Sequence, residues 1–131
     1  MGSDARPVRV LVADDHRLFA EALAVILAGE AGVECVGVAA DGREAIRKAK
    51  ELEPDVVLMD ISMPVLDGIE ATRRLHRRQP GIAVLVLTGS SAEQDIAHAR
   101  AAGAVGYITK DSIAATLVDA IREAAERQDS R

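Results

Sequence analysis

Tryptophan is absent, and Phe19 and Tyr107 are the only aromatic residues in a chain of 131. Such a core must be aliphatic, built from Val, Ile, Leu and Ala, and an exposed tyrosine would stand out in it. Cys35 is the only cysteine, which excludes a disulfide and a multi-cysteine zinc site. Within "VECVGVAA" it reads as a small buried side chain. An excess of positive charge is also missing. Sixteen Lys and Arg stand against 21 Asp and Glu, a net charge of −5, so the chain lacks the basic footprint of a non-specific nucleic-acid binder. No apolar run approaches the roughly 20 residues needed to cross a bilayer. Asp4, Arg6 and Arg9 interrupt the first ten residues, so no signal peptide is read there. A cytoplasmic protein with no membrane contact is the expectation.

Short β-branched runs are what the chain has in quantity. "VRVLVA" (8–13), "VECVGVA" (33–39), "DVVLMD" (55–60), "IAVLVLT" (82–88) and "AVGYIT" (104–109) alternate with five segments of helical period. Several runs are almost continuously apolar, as expected for parallel strands covered on both faces. After the first run, Leu18, Phe19, Ala22, Leu23, Ile26 and Leu27 form one broad helical stripe expected to face the core. Asp41 can cap a helix reaching about Leu52, and Asp67 or Gly68 opens another that Gln79-Pro80-Gly81 closes. Ser90 or Ser91 precedes the next, which Gly103 ends. Asp111 or Ser112 starts the last. One domain over 7–126 is predicted, with flexible ends at 1–6 and 127–131. Alternating βα units imply a parallel sheet with helices on both faces. In such sheets ligands bind outside the carboxyl ends of the strands, where the strand order reverses.

Those ends carry chemistry. Asp14 and Asp15 follow the first run, Asp60 ends the third, Thr88 ends the fourth and Lys110 follows the fifth. Two carboxylates about 4 Å apart at an effective dielectric near 20 repel by roughly 4 kcal/mol, so three acids need protons or cations. Lys110 supplies one compact charge, and a water-rich oxygen site of few carboxylates favours Mg²⁺. One aspartate could then attack phosphorus while metal, lysine and hydroxyl stabilise the equatorial oxygens. Each residue alone has a plainer reading. The Asp pair could cap a helix, Asp60 could be a turn residue, Thr88 an ordinary strand end and Lys110 a solvated charge. Their convergence at four strand ends is what argues for a site.

"VLVADDH", "DVVLMDISMPVLDGIEATRRL", "VLVLTG" and "GAVGYITKD" occur in order and at the separations of a known family. The chain resembles the receiver domain of bacterial two-component response regulators over essentially its whole length. That resemblance implies a flavodoxin-like (βα)5 doubly wound fold, with five parallel strands in the order 2-1-3-4-5. It implies that Asp60 is the phosphoacceptor, taking its phosphoryl group from a sensor histidine kinase. Mg²⁺ would be held by Asp15, Asp60 and the backbone carbonyl of Ser62, with Asp14 helping through water. Thr88 and Lys110 would bind phosphoryl oxygens, and Tyr107 would change rotamer as Thr88 moves. Pro64 and Gly68 match the loop beside Asp60. Such regulators catalyse only their own phosphorylation and dephosphorylation.

Many receivers follow the lysine with proline; here Asp111 stands there. "ADDH", "GIEATRRL" and "YITKD" resemble the subgroup joined to a LuxR-type helix-turn-helix output domain, which is absent. The chain is expected to be either a natural single-domain regulator or, as "RQDSR" at its end favours, a receiver taken from a longer transcription regulator that touches DNA only through that domain. It is expected to form a homodimer on phosphorylation. Ser62 and Ser90 occupy positions where the family tunes hydrolysis. Arg73, Arg74, Arg77 and Arg78 read as a solvated face, as does His98, and His16 neighbours the site. The same residues bear on two rival functions. An aspartyl-phosphate phosphatase would need Asp-x-Asp after the first strand and a covering cap, and neither is present. A phosphorylation-independent interaction module is disfavoured by the intact acid–Thr–Lys set.

Overall fold

The computed structural model describes residues 6–89 and 93–129. Among these residues five strands and five helices alternate. They are β1 (Val8–Ala13), α1 (Arg17–Ala28), β2 (Val33–Ala39), α2 (Gly42–Leu52), β3 (Val56–Asp60), α3 (Gly68–Arg78), β4 (Ala83–Thr88), α4 (Glu93–Ala102), β5 (Gly106–Thr109) and α5 (Ile113–Asp129). A 3₁₀ turn, Lys110–Ser112, joins β5 to α5. The sheet is parallel throughout and ordered β2-β1-β3-β4-β5. Strand order therefore reverses between β1 and β3, and the carboxyl ends of these two strands flank the crevice.

Period-two alternation explains why the strands look uniformly apolar. Val10, Val12, Val56, Leu58, Leu85 and Leu87 point to one face, covered by α1 and α5. Leu11, Ala13, Val57, Met59, Val84 and Val86 point to the other, covered by α2, α3 and α4. Each face is buried, so neither parity tolerates a polar residue until the strand ends. Burial contributes roughly 1.5–3 kcal/mol for each such Val, Leu or Met side chain.

Local signals set the helix boundaries. The Asp41 side chain accepts from the Glu44 backbone N–H at the start of α2, and Asp67 accepts from the Glu70 N–H at the start of α3. Gly103, at φ +115°, follows the end of α4 in the left-handed region that glycine adopts without strain. Ser112 lies in the turn before α5, its hydroxyl bonded to Thr109. The Ser90 and Ser91 cap candidates, together with residues 1–5 and 130–131 of the expected flexible ends, lie outside the described residues. Helix α5 continues through Asp129, beyond the expected domain end at 126.

The broad stripe expected on α1 is only half right. Leu23 and Leu27 are buried, with Ala20 beside them, and Phe19 packs against this core, but Leu18 is 83% exposed and Ala22 and Ile26 of the stripe are exposed, as is Val25. A helix lying on a flat sheet buries one narrow line of side chains. Alanine at position 20 allows close approach along that line, and the neighbouring apolar row is left in solvent. Among the described residues, no helix is long and apolar enough to cross a membrane.

Candidate functional site

Asp14 sits one residue past β1, buried at the mouth of the crevice. Its Oδ1 accepts from the His16 backbone N–H at 2.8 Å and lies 3.2 Å from His16 Nδ1. The Asp pair does not cap α1: His16 is the N-cap residue and gives no side-chain cap. Asp14 instead turns its second oxygen, Oδ2, toward Lys110 Nζ at 2.9 Å. Asp15 is more open to solvent and lies 3.6 Å from His16 Nδ1.

Asp60 is the last residue of β3 and only 4% exposed. Its position follows from the strand. Val56 to Met59 are fully buried, and the chain then turns away because Gly68 packs directly against the Asp60 carbonyl. A Cβ on Gly68 would overlap that oxygen, and the Gly68 N–H donates to Ile61 O at 2.8 Å. Gly42 makes a second close approach: its N–H donates to Leu66 O at 3.1 Å, and a Cβ there would overlap the same carbonyl. Between these two clamps the loop contains Val65 at φ +70°, with the Leu66 N–H bonded to Pro64 O at 2.7 Å. That is a γ-turn in its rare and strained form, and positive φ is a true outlier for a β-branched residue.

Lys110 Nζ also lies 3.5 Å from Asp60 Oδ2, so one ammonium spans two buried carboxylates. Neither Asp14 Oδ2 nor Asp60 Oδ2 has an aligned hydrogen-bond donor among the described residues. The lysine therefore offsets part of their charge without saturating either oxygen. Burial, reinforced by the negative Asp14, pushes the Asp60 carboxyl up from 3.8 to about 6; Lys110 and the Ser62 backbone N–H pull the other way. Lys110 also stands 4.7 Å above the centre of the Phe19 ring, within cation–π range. In the sequence Phe19 belongs only to the apolar stripe of α1. Its one available signal was a rare aromatic one turn beyond the acidic pair.

Carboxylate and imidazole atoms of Asp14, Asp15, His16 and Asp60 all lie within 4.8 Å of one another. Three hard-oxygen donors and an orphaned buried carboxylate oxygen fit a small divalent cation such as Mg²⁺. Ser62 follows on the exposed side of the same loop.

Thr88 ends β4, buried and in register with Thr109. Tyr107 pairs with Val86, so by alternation it shares a sheet face with Thr88. It is 39% exposed and lines a cleft of about 210 Å³ with Arg100 of α4 and Arg127 of α5. Asp14, Asp60 and Lys110 therefore meet directly, Thr88 stands on the neighbouring strand end, and Tyr107 lies on the outer surface of the edge strand. Of the arginines on α3, Arg73 and Arg74 pair with Glu70. His98 is exposed on α4, beside a hollow of about 740 Å³ between α3 and α4. Asp14, Asp60 and Lys110 do not line that hollow.

Comparison with known proteins agrees with this geometry. Residues 10–122 match the model of the response regulator receiver domain. The chain is 45% identical over 115 residues to the response regulator GacA of Pseudomonas viridiflava, covering 88% of this chain and 54% of that protein. It is 41% identical over 119 residues to the transcriptional regulatory protein LiaR of Bacillus subtilis, covering 91% and 56%. The chain thus spans about half the length of these relatives. A LuxR-family two-component response regulator from Aurantimonas sp. superposes with a TM-score of 0.87 at 35% identity, over 92% of this chain and 86% of that one. A parallel 2-1-3-4-5 sheet with acids and a lysine at its switch point, matched by these relatives, places the chain in the receiver-domain family of two-component response regulators.

Proposed function

We propose that Asp60 accepts a phosphoryl group from the phosphohistidine of a sensor histidine kinase in the cytoplasm. The phosphorylated state would then act through Thr88 and Tyr107 on an output domain or partner in transcription regulation. The observation that carries this is the Asp60 carboxylate: buried, pressed against Asp14, and with an oxygen that faces Lys110 but has no aligned hydrogen-bond donor among the described residues. A carboxyl titrating at about 6 is mostly ionised at pH 7, yet its surroundings oppose the charge. Such a group is a ready nucleophile and gains when its charge is shared.

In the transfer, a carboxylate oxygen of Asp60 forms a bond to phosphorus as the phosphorus–nitrogen bond of the phosphohistidine breaks, and the electron pair stays on the imidazole. Lys110, already centred between Asp14 and Asp60, is positioned to hold a phosphoryl oxygen. Receiver domains bind Mg²⁺ at an acidic site, and Asp15, Asp60 and the Ser62 carbonyl, with Asp14 through water, would hold it here. When bound, the ion supplies charge that offsets the acids and the incoming phosphoryl oxygens. Phosphorylation adds about −1.5 to −2 charges and strong acceptor oxygens. A Thr88 hydroxyl drawn to them gives Tyr107, on the same sheet face, room to move. The exposed row Leu18, Val25 and Ile26 on α1 supports a homodimer as one readout, and DNA is reached only indirectly through an output domain.

The test is incubation with phosphoramidate and Mg²⁺, read by intact mass. Addition of one phosphoryl group to the parent and none to Asp60→Asn is expected. Equal labelling of Asp60→Asn would overturn the assignment.

A further inference from the structure

Helices α2 and α3 pack side by side, and a groove of about 750 Å³ runs between them on the outer surface. Arg43, Arg47 and Lys50 line one wall at i, i+4 and i+7 of α2, and Arg74 and Arg78 line the other at i and i+4 of α3. Five cations thus converge on a chain whose net charge is −5. The two carboxylates of the lining are already engaged: Asp41 caps α2, and Glu44 accepts from the Ala40 N–H at 2.7 Å and faces Arg47. Arg43, Lys50 and Arg78 have no ion-pair partner among the described residues. Lys50 and Arg78 lie in the last turns of their helices, where the dipole favours a cation. Arg43 does not: it stands in the first turn of α2, where the dipole opposes one. Folding therefore gives no reason for its charge.

We propose that this groove docks a short acidic segment of a partner protein. Charge complementarity sets the sign of the ligand, and the rest of the groove sets its class. Ile46 and the exposed Val65 lie among the cations, offering an apolar contact that a phosphodiester chain does not use and a Glu/Leu-type segment does. Glu51 pairs with Arg47 and Glu70 with Arg74, so carboxylates flank the groove just outside its lining. Arg43 and Lys50 are seven residues apart, about 10 Å along the helix axis, which three to four residues of extended peptide cover. The groove also reaches the strained loop at Val65, so an occupant there touches the segment that shapes the Asp60 site.

The test is a titration of the ¹⁵N-labelled protein, at low salt, with a blocked octapeptide alternating glutamate and leucine, read by amide shifts. Expected are saturable shifts confined to α2, α3 and residues 65–66, weakening as salt is raised. Arg43→Glu combined with Arg78→Glu lowers the affinity at least about tenfold, whereas Arg17→Glu on α1 leaves it unchanged. Arg43→Ala, which removes a cation from an unfavourable helix position, keeps the thermal midpoint and still weakens binding. No saturable shift, shifts centred elsewhere, or equal loss in Arg17→Glu would overturn the proposal. A short oligothymidylate binding the same residues at least as tightly would overturn it too, by making the groove a general polyanion site.

Discussion

Replacing Asp60 by asparagine should stabilise the metal-free protein, although it deletes the residue at the centre of the site. The folded-state carboxyl titrates at about 6 against 3.8 for an unperturbed one. The native state therefore holds its proton more tightly than the unfolded chain does. The stability contributed by that proton is fully present below about 3.8 and is lost as pH rises through about 6. At pH 7.5 nearly the whole gap acts against the fold, about 3 kcal/mol at 1.36 kcal/mol per pKa unit. Asparagine keeps the shape and removes the charge, at the cost of burying an amide N–H₂; the attraction to Lys110 at 3.5 Å is already part of the raised value. A net gain of about 2 kcal/mol remains, and for a domain of this size that is a rise in Tm of roughly 6–10 °C. The assay is urea unfolding of both proteins in EDTA between pH 4.5 and 7.5. The stability difference should be small at the acid end and grow with pH. A variant less stable than the parent at pH 7.5, or a difference that does not change with pH, would refute the electrostatic account of the site.

Three further outcomes follow from the same geometry. Adding Mg²⁺ in large excess should raise the parent Tm by several degrees, since a ligand present at 100 times its Kd stabilises by about 2.7 kcal/mol. Asp15→Asn should lose most of that rise, which differential scanning calorimetry reads directly. Gly68→Ala should destabilise by more than about 3 kcal/mol in chemical denaturation, because a Cβ there meets the Asp60 carbonyl and backbone must shift. Val65→Gly should act the other way. The side chain is 72% exposed and the backbone sits at φ +70°, so removing the Cβ relieves strain and raises stability by about 1 kcal/mol.

Position along the chain was enough to read much of this molecule. Asp41, Asp67 and Gly103 were legible as helix boundaries because capping is a local matter of one side chain and the nearest backbone groups. The five strands were legible because continuous apolar runs bounded by polar residues have few other uses. Asp14, Asp60 and Lys110 were legible as neighbours because a parallel sheet puts all its strand ends on one edge. Contacts between elements were not legible. Leu18 and Ile26 share a helical period with Leu23 and Leu27, and only the angle at which α1 meets the sheet separates exposed from buried. Phe19 beneath Lys110, and Arg74 and Arg78 facing Arg43 across the groove, join residues whose separation in sequence carries no pattern.

The sequence by itself determined the alternation of strands and helices and the identity of the charges at the strand ends, since both depend on short-range periodicity. Tertiary structure alone decided which oxygen Lys110 approaches most closely, how tightly Gly42 and Gly68 clamp the strained loop, and how far burial and Asp14 raise the Asp60 carboxyl. Those quantities depend on ångström-scale distances and on exclusion of water, which exist only once the helices have closed over the sheet.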